Sequence, residues 1–211
     1  MELRGTVMRI VAWAGVAVSL SACSFGGKSV DGEIAAIGDR APEPSRFTIC
    51  YNHGCRRAVE TGFSAAEWAE LAAIFAGRPA DARAERGRIA QALARAEQIV
   101  GPKTGTDGDL GGSFPGIARS GQLDCVDEMR NAGTYLSLFD RAGFLQFHAL
   151  GRRVSSSFFH RAAWTHTVMT IAEKESRTEY IVDTWADDNG ALPYIMTFRD
   201  WDAGETLARA Y

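Results

Sequence analysis

Hydrophobic positions along this chain follow a helical period from about Ser64 to Phe144 and a strand period afterwards. Ser64-Ala65-Ala66-Glu67 has the form of a capping box, and Trp68, Leu71, Ala72 and Phe75 follow on one face before Gly77 and Pro79 end the helix. A second helix is expected from about Asp81 to Val100, with Ile89, Leu93, Ala96 and Val100 inward and the arginines on a solvated face. Gly101-Pro102 should stop it. The sharpest pattern is Asp124–Phe144. Cys125, Met129, Ala132, Leu136 and Phe139 keep the spacing of one buried helix face, Asp124 is a good N-cap, and Gly143 is the natural stop.

Beyond this helix the period becomes two. Leu145–Leu150 alternates, with Leu145, Phe147 and Ala149 on one face and His148 on the other, toward solvent or an edge. Trp164–Ala172 and Tyr180–Trp185 are rich in β-branched and aromatic residues and flank the polar Glu173–Glu179, the pattern of an antiparallel hairpin. Asp187-Asp188-Asn189-Gly190 reads as a turn, Tyr194–Phe198 as a further strand, and Trp201 as packing against its end. Upstream, Arg46–Tyr51 is a short strand running into the turn Asn52-His53-Gly54, which should expose His53. Helices on an antiparallel sheet of roughly three to five strands make the fold class α+β.

The N-terminus is organised differently. Arg4 and Arg9 precede the apolar run Ile10–Val18, which is shorter than the roughly 20 residues that span a bilayer and has the form of a secretory signal peptide. Leu20-Ser21-Ala22-Cys23 follows and resembles the lipobox of bacterial lipoproteins. That resemblance implies a signal peptide over residues 1–22 and lipidation of Cys23, with acyl chains anchoring the protein to a membrane. Ser24 after the cysteine resembles the sorting pattern for the outer membrane. Residues 23–45, rich in Gly, Ser, Pro and charge, are expected to be a flexible tether, leaving 46–211 as one domain.

Composition narrows this little. The net charge of −3 over 211 residues gives no electrostatic argument for nucleic acid, and an apolar fraction of 46% suits a chain with a real core. Cysteine usage says more. In an exported protein the C-x4-C spacing of Cys50 and Cys55 suits a local disulfide, and a metal reading would have only His53 nearby. With Cys23 lipidated, Cys125 is the unpaired thiol. It belongs at a helix start, where the helix field favours a thiolate, although the helix pattern alone fits a small buried hydrophobe as well.

The arrangement of Cys125 in LDCVDEM, His166 in WTHTVMT and Asp183 in YIVDTW resembles the papain-like clan in its transglutaminase-like form. There a cysteine at a helix N-terminus is served by His and Asp on adjacent strands. The resemblance spans roughly residues 85–198 and implies a papain/transglutaminase-like fold with Cys125 as nucleophile, His166 as base and Asp183 as its orienting partner. Asp183 in the middle of an apolar strand calls for a partner in any case, because an unpaired buried carboxylate is costly. Taken singly, His166 fits a satisfied core histidine, and His148 and His160 fit surface or edge positions. A zinc site from Cys125, His160, His166 and Asp183 has no short-spaced ligand pair behind it. By proximity, Gln122 is the candidate oxyanion donor beside the Cys125 N–H. The glycine-rich stretch Lys103–Gly121 lacks the lysine and hydroxyl of a phosphate loop.

Register offers a geometric expectation. For His166 and Asp183 to share a sheet face, the connecting loop must hold an even number of residues. A loop at Lys174–Arg177 satisfies this and sets Asp183 opposite Val168, diagonal to His166, on a face that should meet the start of the Cys125 helix.

The expected function is a periplasm-facing envelope lipoprotein with a cysteine-dependent acyl-transfer or amide/peptide hydrolase domain. Its substrate would be a peptide or cell-wall amide, with no cofactor, metal or nucleic acid. The alternative is a non-catalytic lipoprotein using the same fold as a binding or assembly module. Mass spectrometry of the mature protein should find a diacylglyceryl-cysteine at Cys23; a free N-terminus elsewhere within Ser19–Ser24 removes the lipoprotein reading.

Overall fold

The computed structural model describes residues 28–36, 42–112, 119–156 and 165–211. Residues 1–27, where a signal peptide and the lipidation of Cys23 are expected, lie outside the described residues, as do Trp164 and His160. The chain is α+β: helices α1 (Val30–Ala36), α2 (Ala65–Ile74), α3 (Ala82–Thr104), α4 (Cys125–Arg141) and α5 (Phe198–Asp202) pack with two antiparallel sheets. One sheet is the hairpin β1 (Phe47–Tyr51) and β2 (Arg57–Thr61). The other is a four-stranded meander in the order β3-β4-β5-β6, from β3 (His148–Ser155), β4 (Thr167–Glu173), β5 (Glu179–Asp183) and β6 (Tyr194–Thr197).

Local chemistry starts α2, α3 and α4 where the capping pattern places them and stops α4 at its glycine. Ser64 accepts from the Glu67 N–H while Glu67 accepts from the Ser64 N–H, closing the capping box of α2. Asp124 caps α4 through the N–H groups of Val126 and Asp127, and Gly143, at φ +75°, takes the left-handed turn beyond its C-cap. α3 runs through Gly101-Pro102 instead of stopping there. Pro102 sits in the last turn, where its missing N–H costs a single bond, and Gly105 and Thr106 both donate back to the Gly101 carbonyl.

α4 is the centre of the core. Its Met129, Tyr135, Leu136 and Phe139 are buried with Ile89 and Leu93 of α3, Phe47 and Ile49 of β1, and Met169, Ile171, Val182 and Ile195 from one face of the meander. The other face carries a smaller cluster of Val154, Val168, Ile181, Met196 and Trp201, and Trp201 packs there as its position after the last strand suggested.

Two expectations need correction. Within the stretch expected to be a tether, α1 is a packed helix: Val30 and Ile34 are buried, and the buried Glu33 pairs with Arg130 of α4 and Arg153 of β3. A short run with two apolar residues at helical spacing was too weak a signal to stand out from Gly, Ser and Pro. His148 is not a surface residue but fully buried, with Nδ1 2.9 Å from Glu85 Oε1. The strand begins at His148 rather than Leu145 and is irregular between Leu150 and Arg153, so strict alternation does not describe it. Glu85 is the reason: its carboxylate accepts the N–H groups of Gln146, Phe147 and His148 and draws the chain inward. Burial pushes the Glu85 carboxyl up, but His148 and these N–H groups outweigh it and hold it below the usual carboxylate range. Glu85→Ala should therefore cost about 3–5 kcal/mol in urea denaturation, because it strands a buried imidazole and several N–H groups. The sign with pH follows: this stabilisation is present above the unfolded carboxylate pKa of about 4.3 and is lost as pH falls below it.

Candidate active site

Cys125 is the first residue of α4 and, among the described residues, the free cysteine. Asp124 takes the N–H groups of Val126 and Asp127 on its side chain and that of Glu128 on its carbonyl. Among the described residues no acceptor faces the Cys125 N–H, which leaves that donor at the positive end of the helix. Cys125 is half-buried, and its Sγ lies 3.9 Å from the Thr165 carbonyl oxygen.

The first turn of α4 is held from outside by the Cys50–Cys55 disulfide, which is present with Cα atoms 4.7 Å apart. Residues 52–55 form the turn inside it and half-bury His53, which the sequence had suggested was exposed. The N–H groups of His53 and Cys55 donate to Asp127, and Asn131 brackets Cys50 with bonds to its N–H and carbonyl. Burial and the neighbouring Asp124 push the Asp127 carboxyl up to about 6 despite these bonds. Among the described residues, Cys50, Cys55 and Asp127 are the set of potential metal ligands that converges within 4.8 Å, and their sulfurs are joined to each other.

His166 and Asp183 come together through register. Met169 faces Val182 and Thr170 faces Ile181, and the Glu173 N–H donates to the Thr178 carbonyl, so the loop is Lys174–Arg177 and Asp183 falls opposite Val168. His166 Nε2 is 2.7 Å from Asp183 Oδ2. The backbone of His166 is fixed from β3, since its N–H donates to Ser156 Oγ and its carbonyl accepts the Ser156 N–H. Trp185 lies over the ring with centroids 4.7 Å apart. The face shared by His166 and Asp183 is that of Val168 and Ile181, opposite the one packed on the body of α4. Cys125 meets them at the end of the sheet, where Thr165 and His166 lead into β4.

Burial opposes charge on His166, yet the bond to Asp183 and the neighbouring Cys125 sulfur outweigh it and raise the imidazole to about 9. Nε2 is engaged by Asp183 and Nδ1 is buried without a hydrogen-bond partner among the described residues, so Nδ1 is the nitrogen left for the thiol. Gln122 is not the oxyanion donor. Its amide is turned to the loop after α3, with Nε2 donating to the Gly108 carbonyl and Oε1 accepting the Leu110 N–H.

No family model, curated protein or solved structure matches this chain. What the site can do is therefore argued from its geometry.

A group of buried acids behind the site has no counterpart in the sequence reading. Glu97 of α3, Asp109 after it and Glu128 of α4 are all buried. One signal was available: Glu97 falls on the inward row of Leu93 and Val100, where a charge is out of place.

The imidazole gives the site a signature in pH. An NMR titration should place the His166 midpoint near 9, and Asp183→Asn or Cys125→Ala should each lower it. The matching stability is fully present below the unfolded histidine pKa of about 6.5 and is lost as pH rises through about 9. A wild-type midpoint near 6.5 would mean that Asp183 and Cys125 do no more than offset the burial of the ring.

Proposed function

We propose that this chain is a lipid-anchored envelope protein whose papain/transglutaminase-like domain performs cysteine-dependent acyl transfer or amide hydrolysis with Cys125, His166 and Asp183. The observation that carries the reading is the His166–Asp183 bond of 2.7 Å beside a cysteine at a helix N-terminus. An imidazole held protonated up to about 9 suits the charged partner of a thiolate. The lipobox-like Leu20–Cys23 supports the anchor, and the Cys50–Cys55 bridge fits an oxidising compartment such as the periplasm.

The chemistry follows from the parts. The Cys125 sulfur attacks the carbonyl carbon of a peptide or other amide, the C–S bond forms, and the carbonyl electron pair moves onto oxygen. The Cys125 N–H at the start of α4 stabilises that oxyanion. His166 gives its Nδ1 proton to the leaving amine as the C–N bond breaks, leaving a thioester. Water, an amine or a hydroxyl then attacks the thioester, His166 takes the incoming proton, and the C–S bond breaks to restore the ion pair. Asp183 fixes the ring through Nε2 throughout.

The test is alkylation of Cys125 by iodoacetamide at pH 6. An ordinary thiol of pKa about 8.5 is almost wholly protonated there, so an ion-paired Cys125 should react about 10- to 100-fold faster than a small-molecule thiol. His166→Ala should return it to the ordinary rate, with Asp183→Asn in between. Ordinary reactivity in the wild type would leave the non-catalytic binding or assembly module as the reading.

A further inference from the structure

The Cys50–Cys55 bridge does little for the hairpin that contains it. β1 and β2 pair through their own ladder, from Phe47 opposite Thr61 to Tyr51 opposite Arg57, and the bridge closes only the short turn beyond. A loop this short gains less from a cross-link than a long one. The turn serves α4. Its His53 N–H, at 2.7 Å, and its Cys55 N–H donate to the buried Asp127, third residue of that helix. Cys50 donates its N–H to Asn131 Oδ1 at 2.8 Å and accepts from Asn131 Nδ2 at 3.0 Å. Ahead of the helix, the Asn52 N–H donates to the Gln122 carbonyl at 2.8 Å, and Asn52 Oδ1 accepts the Gly121 N–H at 3.3 Å. Cys125 lies in the chain between these two sets of bonds. To make them, Asn52, His53 and Cys55 hold φ of +65°, +65° and +58°, which residues with a Cβ keep only where their surroundings enforce it. The two sulfurs differ in access, since Cys50 is fully buried and Cys55 only half-buried.

We propose that the Cys50–Cys55 disulfide is a redox site which a dithiol opens in the folded protein, and that opening it releases the first turn of α4 and lowers the reactivity of Cys125. This is regulation of the catalytic site proposed above and rests on that reading. One thiolate of the dithiol attacks Cys55 Sγ, the more accessible sulfur. The S–S bond breaks, and its electron pair leaves on Cys50 Sγ, which takes up a proton. The second thiolate of the reductant then attacks the reductant's own sulfur in the mixed disulfide, and Cys55 leaves and is protonated. The bridge has gained two electrons and two protons, and the dithiol has become a disulfide. With Cys55 no longer tied to Cys50, the left-handed residues relax and their N–H groups leave Asp127. A buried carboxylate stripped of donors is costly, so the capping box that Asp127 forms with Asp124 gives way. Cys125, inside that turn, loses the helix field and its set position against His166.

The experiment uses the full chain in detergent, either oxidised or reduced with dithiothreitol that is then removed without air. Two readouts are taken: the iodoacetamide rate of Cys125 at pH 6 by peptide mass spectrometry, and amide hydrogen exchange over residues 120–130. Reduction should slow Cys125 labelling about tenfold and speed exchange in that segment, and oxidised glutathione should reverse both. The double variant Cys50→Ala/Cys55→Ala should behave as the reduced chain with or without dithiothreitol. If its labelling still falls with dithiothreitol, the effect lies elsewhere and the proposal is overturned. A bridge that resists excess dithiothreitol in the folded protein overturns it too. So does loss of the circular dichroism of the fold on reduction, which would make the bridge a staple. Unchanged labelling and exchange in a reduced, folded chain have the same consequence. If oxidised Cys125 labels no faster than a free thiol, the catalytic reading fails, and exchange over residues 120–130 alone decides whether the bridge holds α4.

Discussion

Burying the first half of α4 is the constraint that the surrounding structure answers. This helix is amphipathic in sequence but is enclosed on nearly every side, so its polar residues Asp127, Glu128, Asn131 and Thr134 are all buried. A buried polar group is tolerated only when bonded, and three of these four bond to residues outside the helix. Asp127 takes the N–H groups of the disulfide turn, Asn131 brackets Cys50, and Glu128 takes the hydroxyl of Thr184. Thr134 bonds back to its own helix. The hairpin, the sheet end and the loop after β5 are thus fastened to one helical segment, and that segment begins with Cys125.

The same economy governs His166. A side chain with two rotatable bonds sits at a strand end, where fraying is easiest, yet Ser156 fixes its backbone from one neighbouring strand and Asp183 its ring from the other. Trp185 covers the ring face. The freedom left is small, which is what a base needs if its unbonded nitrogen is to stay directed at a thiol. The cost is that a histidine and a carboxylate are buried as a pair, and such a pair is favourable only while both partners are in place.

How much of this could be read from the sequence depended on how local its cause was. The Asp124 cap, the α4 face, the Gly143 stop and the Lys174–Arg177 loop follow from period and turn chemistry within a few residues, and the loop length then fixed the His166–Asp183 register by parity alone. Where a distant residue decides, local pattern failed. His148 is turned inward by Glu85, far away in sequence on α3, and α1 is helical because Glu33 finds Arg130 and Arg153. Gln122 looked available because it lies close before Cys125, but the loop after α3 folds back and engages its amide. β2 went unread because its residues are mostly exposed and show no buried face.

The turn inside the disulfide illustrates how this arrangement is held. Asn52, His53, Gly54 and Cys55 all have φ between +58° and +68°, and three of them are not glycine. Left-handed backbone costs about 1 kcal/mol or more for each residue with a Cβ, so a simple β1–β2 hairpin would not choose four such residues in a row. What the conformation achieves is to point the His53 and Cys55 N–H groups at one carboxylate, Asp127, while Asn52 donates to the Gln122 carbonyl and accepts the Gly121 N–H. Successive left-handed residues with convergent N–H groups form an anion-binding concavity, and here the anion is a side chain of the same protein. The disulfide closes the ends of that concavity. The left-handed backbone of the turn is therefore explained by α4 and not by the hairpin that contains it: the turn is shaped to receive the third residue of the helix that begins with Cys125.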